Sequence, residues 1–266
     1  MKLGLYPGMD ATDEKKIGMD RIGYVKQAGF DYIELSLMKI AALTDDEFDH
    51  LKKTLKENNI VCEVCNNMIY DHIKLTGPAV DLTAVKEYAI TNFSRAAQLG
   101  CEIIVLGSAP ARNLPENFSY EEGYRQFVDI TKNVLAPIAK ENGILLVIEP
   151  QNTTRCNLIL TIKEAVEMEK AVDCGNVKTL ADFYHMAVDN EPLDEVGRYI
   201  KHIQHVHVAE MPNRKITGEI LSPAYKEFLN QLKTNDYQGR VTIEAFCDSF
   251  FEDAQTANQL LREYLD

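Results

Sequence analysis

Four polar residues end four successive apolar runs in the second half of the chain. Glu149 follows Gly143-Ile-Leu-Leu-Val-Ile148 and Asp182 follows Val177-Lys-Thr-Leu-Ala181. His207 follows Ile203-Gln-His-Val206, and Glu244 follows Val241-Thr-Ile243. Three carboxylates and an imidazole brought together are costly to desolvate unless a cation compensates them. No Lys or Arg stands beside the terminal polar residue of any of these runs, so the pattern predicts a bound divalent metal as that cation. Three oxygen ligands and one nitrogen suit Mn2+, Mg2+ or Co2+, with Zn2+ as a further alternative. Such a set leaves coordination positions open for substrate oxygens. Any one of the acids alone reads better as a solvated loop residue or a helix cap. All four at equivalent places point to the metal.

The elements that must position them recur at the length of one strand plus one helix. Strands are predicted at 2–6, 30–36, 60–66, 102–107, 143–149, 176–181, 203–208 and 240–246. Amphipathic stretches lie near 14–28, 45–58, 80–99, 121–141, 161–172, 193–201, 222–233 and 252–265. Runs such as Ile103-Ile-Val-Leu106 are apolar throughout, as in parallel strands covered on both faces. Gly29, Gly100 and Gly143 stand where left-handed helix ends are needed, and Asp81 and Thr161 where helices begin. No Pro/Gly/Ser-rich linker interrupts the order, and Tyr6-Pro-Gly-Met9 is not a Gly-rich phosphate turn. The expectation is an α/β chain forming a single (β/α)8 TIM barrel, one catalytic domain over residues 1–266. Barrels of this type need about 250 residues and carry their active sites at the carboxyl ends of the strands. Glu149, Asp182, His207 and Glu244 fall at the tips of predicted strands five to eight.

The net charge of −13 supplies no basic surplus for a phosphate backbone, so nucleic acid is not an expected partner. No apolar run is long enough to cross a bilayer, and no secretory h-region opens the chain, so a cytoplasmic, non-membrane protein is expected. Cys62-x-x-Cys65 has no second pair to complete a zinc knuckle. On a regular strand its two thiols would point to opposite faces. The six cysteines read as reduced and structural.

The segments Ile148-Glu149-Pro150-Gln-Asn152, Leu180-Ala-Asp182-Phe-Tyr-His185-Met186, His205-Val-His207-Val-Ala-Glu210 and Thr242-Ile-Glu244, in this order, resemble the xylose-isomerase-like sugar isomerase/epimerase family. Within it they are most similar to the D-tagatose 3-epimerase group, and the likeness runs along essentially the whole chain. The resemblance implies that Glu149, Asp182, His207 and Glu244 hold one divalent ion, usually Mn2+, which chelates two adjacent oxygens of a ketose. It implies that Glu149 and Glu244 face opposite sides of the reacting carbon as the catalytic acid/base pair. His185 and Arg214 resemble substrate-binding residues, although Met211-Pro212-Asn213 makes the loop before Arg214 one residue longer than usual. Asn152 and Glu210 are expected to buttress the site. Tyr6, Met9, Glu34 and Asn66, at early strand tips, are candidates for the remaining wall, with core packing the default for Tyr6 and Met9.

One departure concerns the substrate. Where the ketose epimerases carry a second glutamate six residues after the first, this chain has Arg155, a further candidate for substrate binding. The expected function is a metal-dependent sugar epimerase or isomerase, acting on a ketose or keto-sugar through an enediolate and assembling as a dimer or tetramer. A lyase or dehydratase on a keto-sugar, inosose or 3-oxo-glycoside would use the same metal and base. An endonuclease-IV-like repair enzyme is more remote, because that chemistry needs three zinc ions and more histidines than the six here.

Overall fold

The computed structural model describes residues 1–218 and 220–265. Eight parallel strands close a barrel in chain order: β1 (Lys2–Leu5), β2 (Tyr32–Ser36), β3 (Cys62–Asn66), β4 (Ile103–Leu106), β5 (Leu145–Ile148), β6 (Val177–Asp182), β7 (Ile203–Val208) and β8 (Arg240–Ile243). The ring is shut by β1 against β8, with Lys2 opposite Arg240 and Leu5 opposite Ile243. Every predicted strand is present: β7 has the predicted bounds, β6 is shifted by one residue to end on Asp182, and the others are trimmed by one to three residues at one or both ends.

Helices wrap the barrel where amphipathic spacing places them. Asp45–Glu57 buries Phe48, Leu51 and Leu55 and starts in a capping box. There Thr44 Oγ1 accepts from the Glu47 amide at 3.3 Å, and Glu47 Oε2 accepts from the Thr44 amide at 2.8 Å. Asp81 and Thr161 cap their helices, accepting from Thr83 at 2.9 Å and Glu164 at 3.2 Å. The stretch predicted at 14–28 is helical only over Ile22–Gln27, after one 3-10 turn. Asp13 there accepts from the amides of Ile17 and Gly18, and Gly18 sits at φ 91, which ends any continuous helix. The long stretch before β5 runs from Tyr120 to Glu141 through a π turn at Thr131–Leu135. Pro137 follows in the next turn, and its missing N–H is what a regular α-helix could not absorb.

Two bulges set which side chains enter the barrel. Ile33 pairs with Cys62 but Glu34 with Val64, so Glu63 is skipped. Thr179 pairs with Ile203 but Leu180 with His205, so Gln204 is skipped. Each extra residue reverses the alternation on its strand. The first bulge corrects the expectation for Cys62 and Cys65. Both turn outward into the core beneath the helices, with their sulfurs 3.8 Å apart. The second turns His205 and His207 inward.

Inside the barrel Tyr32, Val64, Ile103, Val105, Val147 and Leu180 form an apolar plug separate from the outer core. The Tyr32 and Thr242 hydroxyls meet above it at 2.7 Å. That plug is the floor of the site. Among the described residues no helix is long and apolar enough to cross a membrane.

Candidate active site

Side chains alternate along a strand, so the residue two beyond an inward-facing one faces inward again, one layer higher. Val147 is followed in this way by Glu149, Leu180 by Asp182, His205 by His207 and Thr242 by Glu244. One ligand atom from each of these four residues lies within 4.8 Å of those of the others. They are 5%, 2%, 1% and 9% exposed, so the cluster is effectively dry and its electrostatics are little screened by water.

His207 is the hub. Its Nδ1 lies 3.0 Å from Glu149 Oε1, 3.0 Å from Glu244 Oε2 and 3.9 Å from Asp182 Oδ2. One ring nitrogen carries at most one hydrogen, so it cannot satisfy three carboxylates. Its Nε2 is taken at 3.0 Å by Glu34 Oε1, and the other Glu34 oxygen takes His205 Nε2 at 3.0 Å. With Nε2–H donated to Glu34, Nδ1 is turned toward the three carboxylates, the arrangement of a metal ligand steadied from behind. The donor set fits a divalent cation at the point where Nδ1 and the carboxylates converge.

Each carboxylate is oriented by its own contacts. Asp182 uses Oδ1 to cap the helix Phe183–Val188, accepting from the His185 amide at 3.1 Å, which leaves Oδ2 for the cluster. Glu149 Oε2 accepts from Gln151 Nε2 at 2.8 Å. Burial alone would raise the Glu149 carboxyl, but the hydrogen bond and charge of His207 outweigh it and hold it near 2. Glu34 follows the same logic: burial opposes ionisation, and the two imidazoles hold its carboxyl well below the usual range. Burial would likewise lower the His207 imidazole, but the charges of Glu34 and Glu244 raise it well above its ordinary value, and a bound metal would take the place of the Nδ1 proton.

The chain matches the family described as Xylose isomerase-like TIM barrel over residues 22–265. It belongs to that family. The D-psicose 3-epimerase of Ruminiclostridium cellulolyticum is 26% identical over 231 residues, which cover 84% of this chain and 76% of the relative. The 3-dehydro-D-guloside 4-epimerase of Escherichia coli is 24% identical over 240 residues, covering 85% and 86%. Both names are those of isomerases. A solved D-allulose 3-epimerase from Methylomonas sp. superposes with a TM-score of 0.86 at 21% identity, over 100% of this chain and 98% of the other, a likeness of fold.

Set in this family fold, the other expected site residues separate into two groups. His185, Arg214 and Arg155 line one pocket together with Glu149, Glu244, Gln151, Asn66 and Asn67. His185 Nε2 lies 3.5 Å from Asp182 Oδ2, while its Nδ1 is held at 2.8 Å by Asn152 Nδ2. Asn152 therefore steadies His185, not a metal ligand. Glu210 is placed elsewhere: its carboxylate accepts from the Ser222 amide at 2.9 Å, at the start of the helix Pro223–Thr234. Of the early strand tips, Asn66 donates to Glu244 Oε1 at 3.4 Å, and Tyr6 is buried. Burial, with the charges of Glu244 and Glu34, pushes the Tyr6 phenol far up, so it stays protonated. Met9 is not among the residues lining this pocket.

The premise that no cation attends the cluster is corrected. Arg214 comes in from the loop after β7, with Nη2 2.7 Å from Glu244 Oε2 and 3.3 Å from Asp182 Oδ2. Its Nε donates to the Glu244 carbonyl at 3.1 Å, and the guanidinium lies over the Tyr184 ring at 5.0 Å. Arg112, fully buried, donates to the carbonyls of Glu149 at 2.7 Å and Leu106 at 3.1 Å, tying the tips of β5 and β4 together. Arg214 is adjacent in sequence to neither of the acids it contacts. One guanidinium is shared by two of the carboxylates, and Nδ1 of His207 can donate a single hydrogen among all three, so the fit to a divalent ion that takes the place of that proton stands.

Gly107, just past β4, has a role that its sequence position alone does not disclose. A Cβ built there would lie 2.1 Å from Glu149 Oε2. The Gly107→Ala variant is expected to push that carboxylate out of the cluster. Turnover should fall at least tenfold, on the order of what a displacement of about 1 Å costs in a preorganised site. Thermal unfolding should move much less. Turnover at the parental rate would show that Glu149 is not held in place by this contact.

Proposed function

We propose that this chain is a divalent-metal-dependent sugar epimerase, moving an α-proton on a ketose or keto-sugar. The observation that carries the reading is the convergence of three buried carboxylates on one ring nitrogen of His207 at the carboxyl mouth of the barrel. Its named relatives, a D-psicose 3-epimerase and a 3-dehydro-D-guloside 4-epimerase, support the reaction class.

Glu149, Asp182, His207 and Glu244 would hold the ion, for which Mn2+ is our choice. When bound, it would polarise the substrate carbonyl and stabilise the charge of an enediolate. Glu149 and Glu244 reach the pocket from β5 and β8, and we assign them the proton transfers. One takes the α-proton and the other returns a proton from the opposite side, which inverts the carbon. His185 and Arg214 bind substrate oxygens. Asn152 sets the His185 ring, and Glu34 sets that of His207.

A second group with metal-ligand character, Glu34, His205 and His207, shares the same imidazole and is buried below the first. His50, His72 and His202 lie outside both groups, which disfavours a three-zinc nuclease site. After dialysis against Mn2+, elemental analysis should find about one ion per chain. Asp182→Asn should lower the affinity by on the order of ten- to a hundredfold. No retained divalent ion in the parent protein would contradict the site.

A further inference from the structure

Arg155 is a cation without a side-chain partner among the described residues. It stands in the loop after β5 and lines the pocket with Glu149, Gln151, His185, Arg214 and Glu244. Among the described residues its guanidinium makes no ion pair or hydrogen bond; only its backbone N–H and C=O are hydrogen-bonded. Arg214, the other cation lining the pocket, is already engaged by Glu244 and Asp182.

The loop that carries Arg155 is stapled on both sides. Its amide donates to the Asn152 carbonyl at 3.0 Å, and its own carbonyl accepts from Asn113 Nδ2 at 2.9 Å. Asn157 exchanges two hydrogen bonds with the backbone of Leu114, at 2.8 and 3.0 Å. On the other flank, Asp189 accepts from the amide and hydroxyl of Thr153 at 2.7 and 2.8 Å. Asp189 is held by Thr153, and among the described residues it makes no ion pair with Arg155. Fixing the loop during folding lowers the ordering cost that binding would otherwise carry.

An unpaired guanidinium on a fixed loop at the mouth of an acidic pocket is built to receive an anion. The quartet is buried and Arg155 is exposed, so the anion would sit on the end of the substrate remote from the reacting carbon. A planar guanidinium matches a carboxylate through two parallel hydrogen bonds. The loop between β8 and the helix Phe250–Leu265, Glu244 to Ser249, contains no glycine to cradle a phosphate. We propose that Arg155 is a specificity residue and that the pocket takes a keto-sugar acid, a ketose bearing a carboxylate at its far end. This inference rests on the epimerase reading of the quartet.

The test uses the Mn2+-loaded protein with three probes: a 2-ketohexose, the same sugar oxidised to the carboxylate at C6, and its 6-phosphate. Solvent deuterium incorporation gives kcat/KM for each. The parent should prefer the carboxylate to both others. Arg155→Gln should reduce the carboxylate-to-neutral ratio by about 10- to 100-fold, the range of a charge-assisted hydrogen bond. Arg155→Glu should reduce it further. A ratio unchanged in both variants overturns the proposal, and a preference for the phosphate overturns the choice of anion. Absence of exchange with all three sugars would instead overturn the epimerase reading. Calorimetric titration of the keto-acid would then decide the role of Arg155: binding weakened at least tenfold in Arg155→Gln supports it, and equal binding overturns it.

Discussion

The Glu149→Gln and Glu244→Gln variants are expected to fold as the parent does and to lose exchange of the substrate α-proton with solvent. Each change keeps the shape of the side chain and removes its ability to accept a proton. A positioned general acid or base contributes about 10²- to 10⁴-fold, and the loss in each variant should lie in that range. Glu149 is held for the task. Gln151 fixes one oxygen at 2.8 Å and His207 faces the other at 3.0 Å, while Gly107 leaves room for the carboxylate. Glu244 is placed by Asn66 at 3.4 Å and Arg214 at 2.7 Å. Both residues also belong to the proposed ligand set, so metal content must be measured in each variant. Loss of exchange at parental metal occupancy separates proton transfer from metal loss. Full exchange in both variants would remove them as the acid/base pair.

Glu34→Ala should produce the largest effect on stability. The Glu34 carboxylate is fully buried and holds two imidazoles at 3.0 Å each. Removing one partner of a buried, hydrogen-bonded charge pair costs about 3–5 kcal/mol, because the remaining partners stay desolvated without it. The His207 ring would also lose the acceptor that turns its Nδ1 toward the carboxylates, lowering metal affinity by about 10- to 100-fold. Glu34→Gln should be milder, since the amide oxygen can still accept from one ring. Urea unfolding and competitive metal titration measure the two effects independently. A parental urea midpoint together with parental metal affinity would show that the layer below the quartet is dispensable.

Much of this site was legible because strand ends mark themselves in sequence. Glu149, Asp182, His207 and Glu244 interrupt apolar runs, and a barrel brings such interruptions to one mouth. Glu34 and His205 sit inside their runs, one layer lower, and only the closed barrel shows that they share a carboxylate–imidazole contact. Arg214 is carried by a loop whose path has no periodic signature, so neighbours in sequence do not disclose the charge balance of the cluster. The direction of Cys65 depended on Glu63 being skipped in the pairing with β2. A bulge of that kind follows from the fit between strands, and nothing in Cys62-Glu-Val-Cys65 announces it. The short helices Leu37–Ala41, Ala109–Arg112 and Phe183–Val188 are too brief to show a 3.6-residue period. The last of them is visible only through its cap, because Asp182 is both the proposed ligand and the residue that starts it.

The account turns on metal-assisted proton transfer at a carbon beside a ketone. NMR of the Mn2+-loaded protein in D2O, with a panel of ketoses, keto-sugar acids, keto-glycosides and inososes, tests it most directly. The predicted result is an epimer carrying deuterium at the inverted carbon, formed from at least one of these sugars and lost when the metal is chelated. Expulsion of a β-substituent without epimerisation, or no deuterium uptake into any of them, would contradict it.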